Sequence, residues 1–279
     1  MKYIGWLLPP IIALTLLTRL PLFSLLPLSI KQQVWTQQHQ GDSVLWYPAV
    51  GLLLASILVF VFWVLAGVEP LLLAAILLLV WVGLTGALHL DGFADSIDAG
   101  YAAHRYLLHQ VDEQQKQQQQ NKVLAIFKDP RSGSMAVVGL VLLLLVKFTA
   151  LVTLIEQAPS VFILGIVLAL VLSRALAIVL LMSTDYVGEG LGRVLKDSLP
   201  QDKAFFLLIV LALLMWWLLP FFYSVILIVI LALLLFAWRN FWQRSIGGIV
   251  GDCIGALIEM AELAILLIFC LLPIAGLSL

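Results

Sequence analysis

Residues 161–183, VFILGIVLALVLSRALAIVLLMS, contain a single charged side chain, Arg174. A run of this length and apolarity satisfies every backbone group as one helix across a hydrocarbon layer, where water is absent. Comparable runs occupy approximately 46–66, 71–90, 134–155 and 254–276. The stretch 204–237 is too long for one crossing and has Pro220 near its middle, so it reads as a hairpin of two helices, 204–218 and 221–237. Residues 4–28 contain Pro9, Pro10, Arg19, Pro21 and Pro27, and form either a further span or a broken, re-entrant segment. No small-residue cleavage site follows them, so the segment is expected to stay on the chain. The expected fold is all-α: a polytopic integral membrane bundle of about seven spanning helices, forming a single membrane domain over residues 1–279.

Only 11% of residues are charged, against about a quarter in soluble domains. The 15 basic and 16 acidic side chains nearly cancel, which points away from nucleic acid and leaves the lipid bilayer as the expected surroundings. Cys253 and Cys270 lack ligand spacing and read as small core residues. Basic residues concentrate in 91–133, 184–203 and 238–252, whereas the short turns around Glu69 and Glu156 have none. The positive-inside rule puts those three segments in the cytoplasm, and the C-terminus outside. Two glutamine-rich insertions, near 31–42 and 110–122, read as solvated and dispensable to chemistry.

The segment TGALHLDGFADSIDAGYA (85–102) ends an apolar run with Asp91, Asp95 and Asp98. On a helix these three fall within roughly 60° of one another, and His89 points away from them. A helix dipole accounts for one or two acids in a first turn, but not for a third on the same stripe. Like charges beside a membrane need protonation, a cationic partner or a divalent cation, and hard Mg²⁺ takes carboxylates together with substrate phosphates. Gly92 and Ala94 keep the adjoining surface small, so a bulky phosphorylated group can approach.

In IFKDPRSGSMAVVG (126–139), Lys128, Asp129 and Arg131 flank a proline turn. Ser132, Gly133 and Ser134 would cap the following helix and offer N–H groups to an anion, or else the basic residues merely set topology. In RSIGGIVGDCIGALIEMAELA (244–264), Gly247, Gly251 and Gly255 permit close backbone approach. Asp252, Glu259 and Glu262 share an arc of roughly 80° on the same helix. Lys147 and Arg174 lie inside spans and are counter-charges, either to substrate phosphate or to Glu259 and Glu262. Arg19 invites the same reading, with snorkelling as the plainer one. Phosphate loops, dinucleotide fingerprints and hydrolase triads find no match.

Five segments, RLPLF, GALHLDGFADSIDAG, IFKDPRSGSMAVVGLVLLLLVKFTAL, GEGLGRVL and GGIVGDCIGALIEMAEL, occur in that order. Together they resemble the cobalamin synthase family, the adenosylcobinamide-GDP ribazoletransferases. The departures are the glutamine-rich insertions and local differences such as Phe93 and Ala99. The resemblance implies that a hydroxyl of α-ribazole, or of its 5′-phosphate, attacks the cobinamide-linked phosphorus of adenosylcobinamide-GDP. GMP leaves, with Mg²⁺ required, on the cytoplasmic side of a bacterial inner membrane. Phosphoryl transfer is mainly positioning and charge neutralisation, which suits these residues. Asp91, Asp95 and Asp98 would hold Mg²⁺, Lys128 and Arg131 would clamp phosphate, and Asp98, Asp129 or Asp252 would serve as general base. Two other readings stay open here: a CDP-alcohol phosphotransferase acting on a lipid acceptor, and an ion-coupled transporter built on Glu259, Glu262, Lys147 and Arg174.

Overall fold

The structure is a computed structural model and describes residues 7–20, 36–107 and 113–272. Its helices in chain order are α1 (Leu8–Leu17), α2 (Gln37–Val44), α3 (Tyr47–Val64), α4 (Pro70–Thr85), α5 (Leu88–Leu107) and α6 (Glu113–Ile126). They continue with α7 (Ser134–Glu156), α8 (Pro159–Ser183), α9 (Leu191–Asp197), α10 (Gln201–Leu218), α11 (Phe221–Ile246) and α12 (Gly251–Leu271). Six of these, α3, α7, α8, α10, α11 and α12, are long and apolar enough to cross a membrane, and the number is seven if the bent pair α4–α5 counts as one span. Six of the seven spans expected from the sequence correspond to single helices, and the seventh, 71–90, falls on the bent pair.

The break is the main departure. The run 71–90 does not continue as one helix, because Gly86 (φ 60°) and Ala87 (φ 57°) are both left-handed and the axes of α4 and α5 differ by 86°. Successive left-handed residues cannot extend a right-handed helix, and only glycine adopts that conformation without steric cost. The chain leaving α1 braces this corner. The Arg19 N–H donates to the Leu84 carbonyl at 3.0 Å, and a Cβ on Gly86 would lie 1.8 Å from Arg19 Cγ. Of the segment 4–28, the described part is a ten-residue helix, α1, followed by this contact, and residues 4–6 and 21–28 lie outside the described residues.

Helix α8 forms the axis of the core, packed along α3 and α12. Helix α12 also carries α5, and α7 lies against α4, α5 and α12. The α10–α11 hairpin turns at Leu219–Pro220 as expected and stands at the rim. There Phe205, Phe206, Trp217, Phe221, Phe222 and Phe236 are exposed, which in a bilayer is contact with lipid. Helix α11 runs on to Ile246, so Arg239 and Arg244 belong to its last turns rather than to a 238–252 loop.

The glutamine-rich segments are more ordered than their composition suggests. Residues 37–44 form α2, with Gln40, Gly41, Ser43 and Val44 buried against α1 and α9. Residues 31–35 lie outside the described residues. Residues 113–126 form α6, with a Lys116–Glu113 ion pair at 3.4 Å and a Gln117–Asn121 hydrogen bond at 3.4 Å. Gln, Glu and Lys have good intrinsic helix propensity, and i,i+3 and i,i+4 pairing adds to it. The end of α6 supplies the anchor: Val123 is buried, and Phe127 beyond it packs on Trp242 with ring centroids 5.3 Å apart.

Candidate active site at the crossing of α5 and α12

Helices α5 and α12 run antiparallel and touch through glycines. A Cβ on Gly92 would lie 2.9 Å from the Asp252 carbonyl oxygen, and one on Gly255 would lie 3.3 Å from His89 Cα. Any side chain there would force the helices apart. Gly92 is therefore closed off by α12, and Ala94 is buried as well, so neither leaves room for substrate, contrary to the sequence reading. Of the three glycines at four-residue spacing, Gly255 makes the helix contact. Gly251 lies beside the Tyr186 hydroxyl, and Gly247 ends α11 in a left-handed turn.

This crossing sets Asp252 among the acids of α5. Asp95 has Asp252, Asp91 and Asp98 near enough to bear on its charge, and Asp91 bears on Asp252 in turn. Asp91 is exposed, and Asp95, Asp98 and Asp252 are partly buried. The stripe expected on α5 is present, with a fourth carboxylate added from α12. Among the described residues, no three His, Cys, Asp or Glu side chains converge closely enough to hold an ion by themselves. That suits Mg²⁺ less as a caged ion than as one shared between one or two carboxylates and substrate phosphates, its usual mode.

Asp98 plays a different part from Asp91 and Asp95. Its Oδ2 accepts from the Gly133 N–H at 2.6 Å and its Oδ1 from the Ala136 N–H at 3.0 Å. It thus caps α7 from another helix, where Ser132–Ser134 were expected to supply the cap themselves; Gly133 is the N-cap residue and makes no side-chain cap. The anion at this helix N-terminus is Asp98, a pairing that suits both the unpaired N–H groups and the dipole.

The Asp98 contact ties down the KDPRSG loop. Arg131 turns away: its Nε and Nη2 donate to Asp129 Oδ1 and Oδ2 at 2.9 and 2.8 Å, and its side chain is 86% exposed. Hydrogen bonding from Arg131 holds the Asp129 carboxyl at about 2, so it is a poor proton acceptor. Lys128 instead lines a cavity of 420 Å³ with Tyr186, Gly188, Glu189, Gly251 and Asp252.

The fourth wall comes from GEGLGR. Gly188 and Gly190 have φ of 90° and 110°, and the loop they allow is pinned to the start of α12. The Val187 N–H donates to the Ile249 carbonyl, and the Ile249 N–H to the Asp185 carbonyl, both at 2.8 Å. Gly192 makes room for the Tyr186 ring, since a Cβ there would lie 2.2 Å from the hydroxyl. Burial raises the Tyr186 phenol above its ordinary range, so it remains a neutral hydroxyl. On the other side of Tyr186 lies a second cavity of 350 Å³, lined by Tyr47, His89, Leu195 and Ile258 among others. The two cavities share Tyr186, Gly251 and Asp252 as their common wall. Neither Tyr186 nor Glu189 nor Tyr47 is singled out by the sequence. The available signal was glycine at every second position from 188 to 192, a pattern of tight backbone around a bulky neighbour.

Deeper in the bundle, Lys147 Nζ donates to Glu259 at 2.8 Å and to Glu262 at 2.5 Å. Arg174 Nη1 donates to the other oxygen of Glu262 and to Ser173, and Lys147 stands 4.2 Å from the Trp81 ring centroid. The two cations and two acids are buried and balance each other. Lys147 and Arg174 therefore take the second of the two roles open to them, as partners of Glu259 and Glu262. Arg19 is exposed and braces the α4–α5 corner, away from this network.

The family model described as cobalamin-5-phosphate synthase matches residues 9–270. A protein of Stutzerimonas stutzeri named adenosylcobinamide-GDP ribazoletransferase is 41% identical over 263 residues, covering 93% of this chain and 96% of its own. Proteins of the same name from Pseudomonas fluorescens and Acinetobacter baumannii are 40% and 36% identical, covering 83% and 90% of this chain and 88% and 94% of theirs. No solved structure matches.

Proposed function

The chain belongs to the cobalamin-5-phosphate synthase family, and from that premise we propose that it is an adenosylcobinamide-GDP ribazoletransferase whose reaction centre is the wall at Asp252. The carrying observation is that two cavities meet at one carboxylate, as a transfer between two substrates requires. Volumes of 350 and 420 Å³ suit nucleotide-sized groups. The corrin ring itself stays outside, at the membrane face.

The cavity lined by Lys128 takes the diphosphate of adenosylcobinamide-GDP. Lys128 reaches it from the loop that Asp98 anchors, and its ammonium pairs with phosphate oxygens. Asp91 and Asp95 would hold Mg²⁺ against the diphosphate. When bound, the ion neutralises charge on the phosphate oxygens. The acceptor hydroxyl of α-ribazole or its 5′-phosphate attacks the phosphorus attached to cobinamide. Its proton passes to a carboxylate, the new P–O bond forms, and the bond to the GMP oxygen breaks. Of the three candidate bases, Asp129 is held ionised by Arg131 and Asp98 is engaged as a helix cap, which leaves Asp252. Tyr186, a neutral hydroxyl on the shared wall, orients the substrates there.

The broken α4–α5 span carries the acids toward the end of the bundle where Lys128, Arg193 and Arg244 also lie. By the positive-inside rule this end faces the cytoplasm of a bacterial inner membrane. The test is to incubate protein purified in detergent with adenosylcobinamide-GDP, α-ribazole and Mg²⁺ and to follow GMP. GMP release that requires both organic substrates is expected; release without α-ribazole would mean hydrolysis and refute the transfer.

A further inference from the structure

Resting on the reading above, we infer that the cavity lined by Tyr47, His89 and Leu195, on the other side of Tyr186 from Lys128, binds the fused aromatic base of the acceptor nucleoside and so selects the acceptor. Three observations support this assignment. The cavity shares Tyr186 and Asp252 with the Lys128 cavity, so a group held inside it can present a hydroxyl to the phosphorus across a single wall. Its surface is mainly apolar, with Leu17, Leu195 and Ile258 contributed by three different helices. This composition excludes the phosphates and suits a flat ring that carries few hydrogen-bonding atoms. The third observation is His89, which lines the same cavity. It is 5% exposed, and its Nδ1 has no hydrogen-bond partner.

A buried polar nitrogen without a partner costs about 1–3 kcal/mol. A heteroaromatic base or its ribose supplies the missing partner. The other cavity has no such nitrogen, and its Lys128 and Glu189 match a charged, hydrated ligand instead. Discrimination follows from the pairing of shape with one polar atom. A base of the wrong size is excluded by the leucines, and one lacking a matching atom leaves His89 unpaired.

The test uses the full-length protein in detergent. Leu195→Phe and, separately, Leu17→Phe fill the cavity from different helices. Each should raise KM for α-ribazole roughly tenfold or more, as steric changes in apolar pockets do, and leave KM for adenosylcobinamide-GDP within about twofold. Equilibrium dialysis of α-ribazole without the second substrate provides a readout independent of turnover: the wild type should bind, and both variants should bind roughly tenfold or more weakly. His89→Gln should weaken α-ribazole binding and leave the affinity for adenosylcobinamide-GDP unchanged. A rise in KM for adenosylcobinamide-GDP instead, or undiminished α-ribazole binding in a folded, filled variant, would overturn the assignment. If the wild type binds α-ribazole through this cavity but releases no GMP, the transferase reading fails and the binding site stands.

Discussion

Two clusters of acids lie on α12 and its neighbours, and they are built in opposite ways. In the bundle interior, Glu259 and Glu262 are matched by Lys147 and Arg174, with hydrogen bonds to each acid and an aromatic ring against the lysine. Toward the end of the same helix, Asp252 meets Asp91, Asp95 and Asp98, and among the described residues the hydrogen bonds to these side chains from elsewhere in the fold are the two backbone N–H groups on Asp98. The interior cluster balances its charge within the protein, two cations against two acids. The end cluster carries an excess of negative charge beside two cavities, and such charge calls for cations brought from outside. Burial alone does not mark function in this chain. The site lies where charge is left unbalanced.

The sharpest way to break this comparison is to neutralise one member of each cluster. Asp252→Asn should lower kcat for GMP release by about 10²–10⁴, the range of general-base catalysis, and leave the melting temperature in detergent unchanged or raised, because it relieves like-charge repulsion. Retained turnover would remove Asp252 from the reaction. Glu262→Gln should behave the other way. Breaking a buried pair costs about 3–5 kcal/mol, so a large drop in melting temperature is expected, with near-normal KM values in whatever protein survives. A stable but inactive Glu262→Gln protein would show that the interior cluster takes part in chemistry.

Smaller effects test the basic loop. Lys128→Ala should reduce kcat/KM for adenosylcobinamide-GDP about tenfold, a modest share of what an electrostatic donor supplies. Taken alone, the sequence suggests an equal loss for Arg131→Lys, since lysine cannot reproduce a bidentate clamp. With the fork already engaged by Asp129 at the surface, a change of less than about threefold is now expected, in line with the small value of exposed ion pairs. Asp129 stays ionised down to about 2, so Asp129→Asn should leave the acid limb of the pH–rate profile in place. The smallest change should come from deleting 114–120. Seven residues are about two turns, so the register of α6 is kept and Val123 can still dock. Loss of activity on that deletion would mean that α6 positions Lys128 more tightly than its exposure suggests.

Much of this protein is decided locally and was legible in the chain. About 20 apolar residues in a row have one solution in a bilayer, and Pro220 can only interrupt a helix, so the spans and the α10–α11 hairpin follow from elementary constraints. The acids were visible because charge in an apolar run is costly wherever it faces. The α4–α5 corner was not legible, since 71–90 is apolar throughout and the break depends on Arg19 packing against Gly86 from a distant segment. The same holds for α6, whose composition resembles a disordered tract but whose far end docks on Trp242. The roles of the individual charges also needed the tertiary structure. Helical spacing puts Asp98 on one stripe with Asp91 and Asp95, yet only the approach of Gly133 and Ala136, from about 35 residues further along, turns it into a cap. Sequence determines which side chains carry charge and roughly how deep they lie, because those depend on the residue and its nearest neighbours along the chain. Which charge pairs with which is a through-space property, set by where separate helices cross, and here the crossing of α5 with α12 decided it.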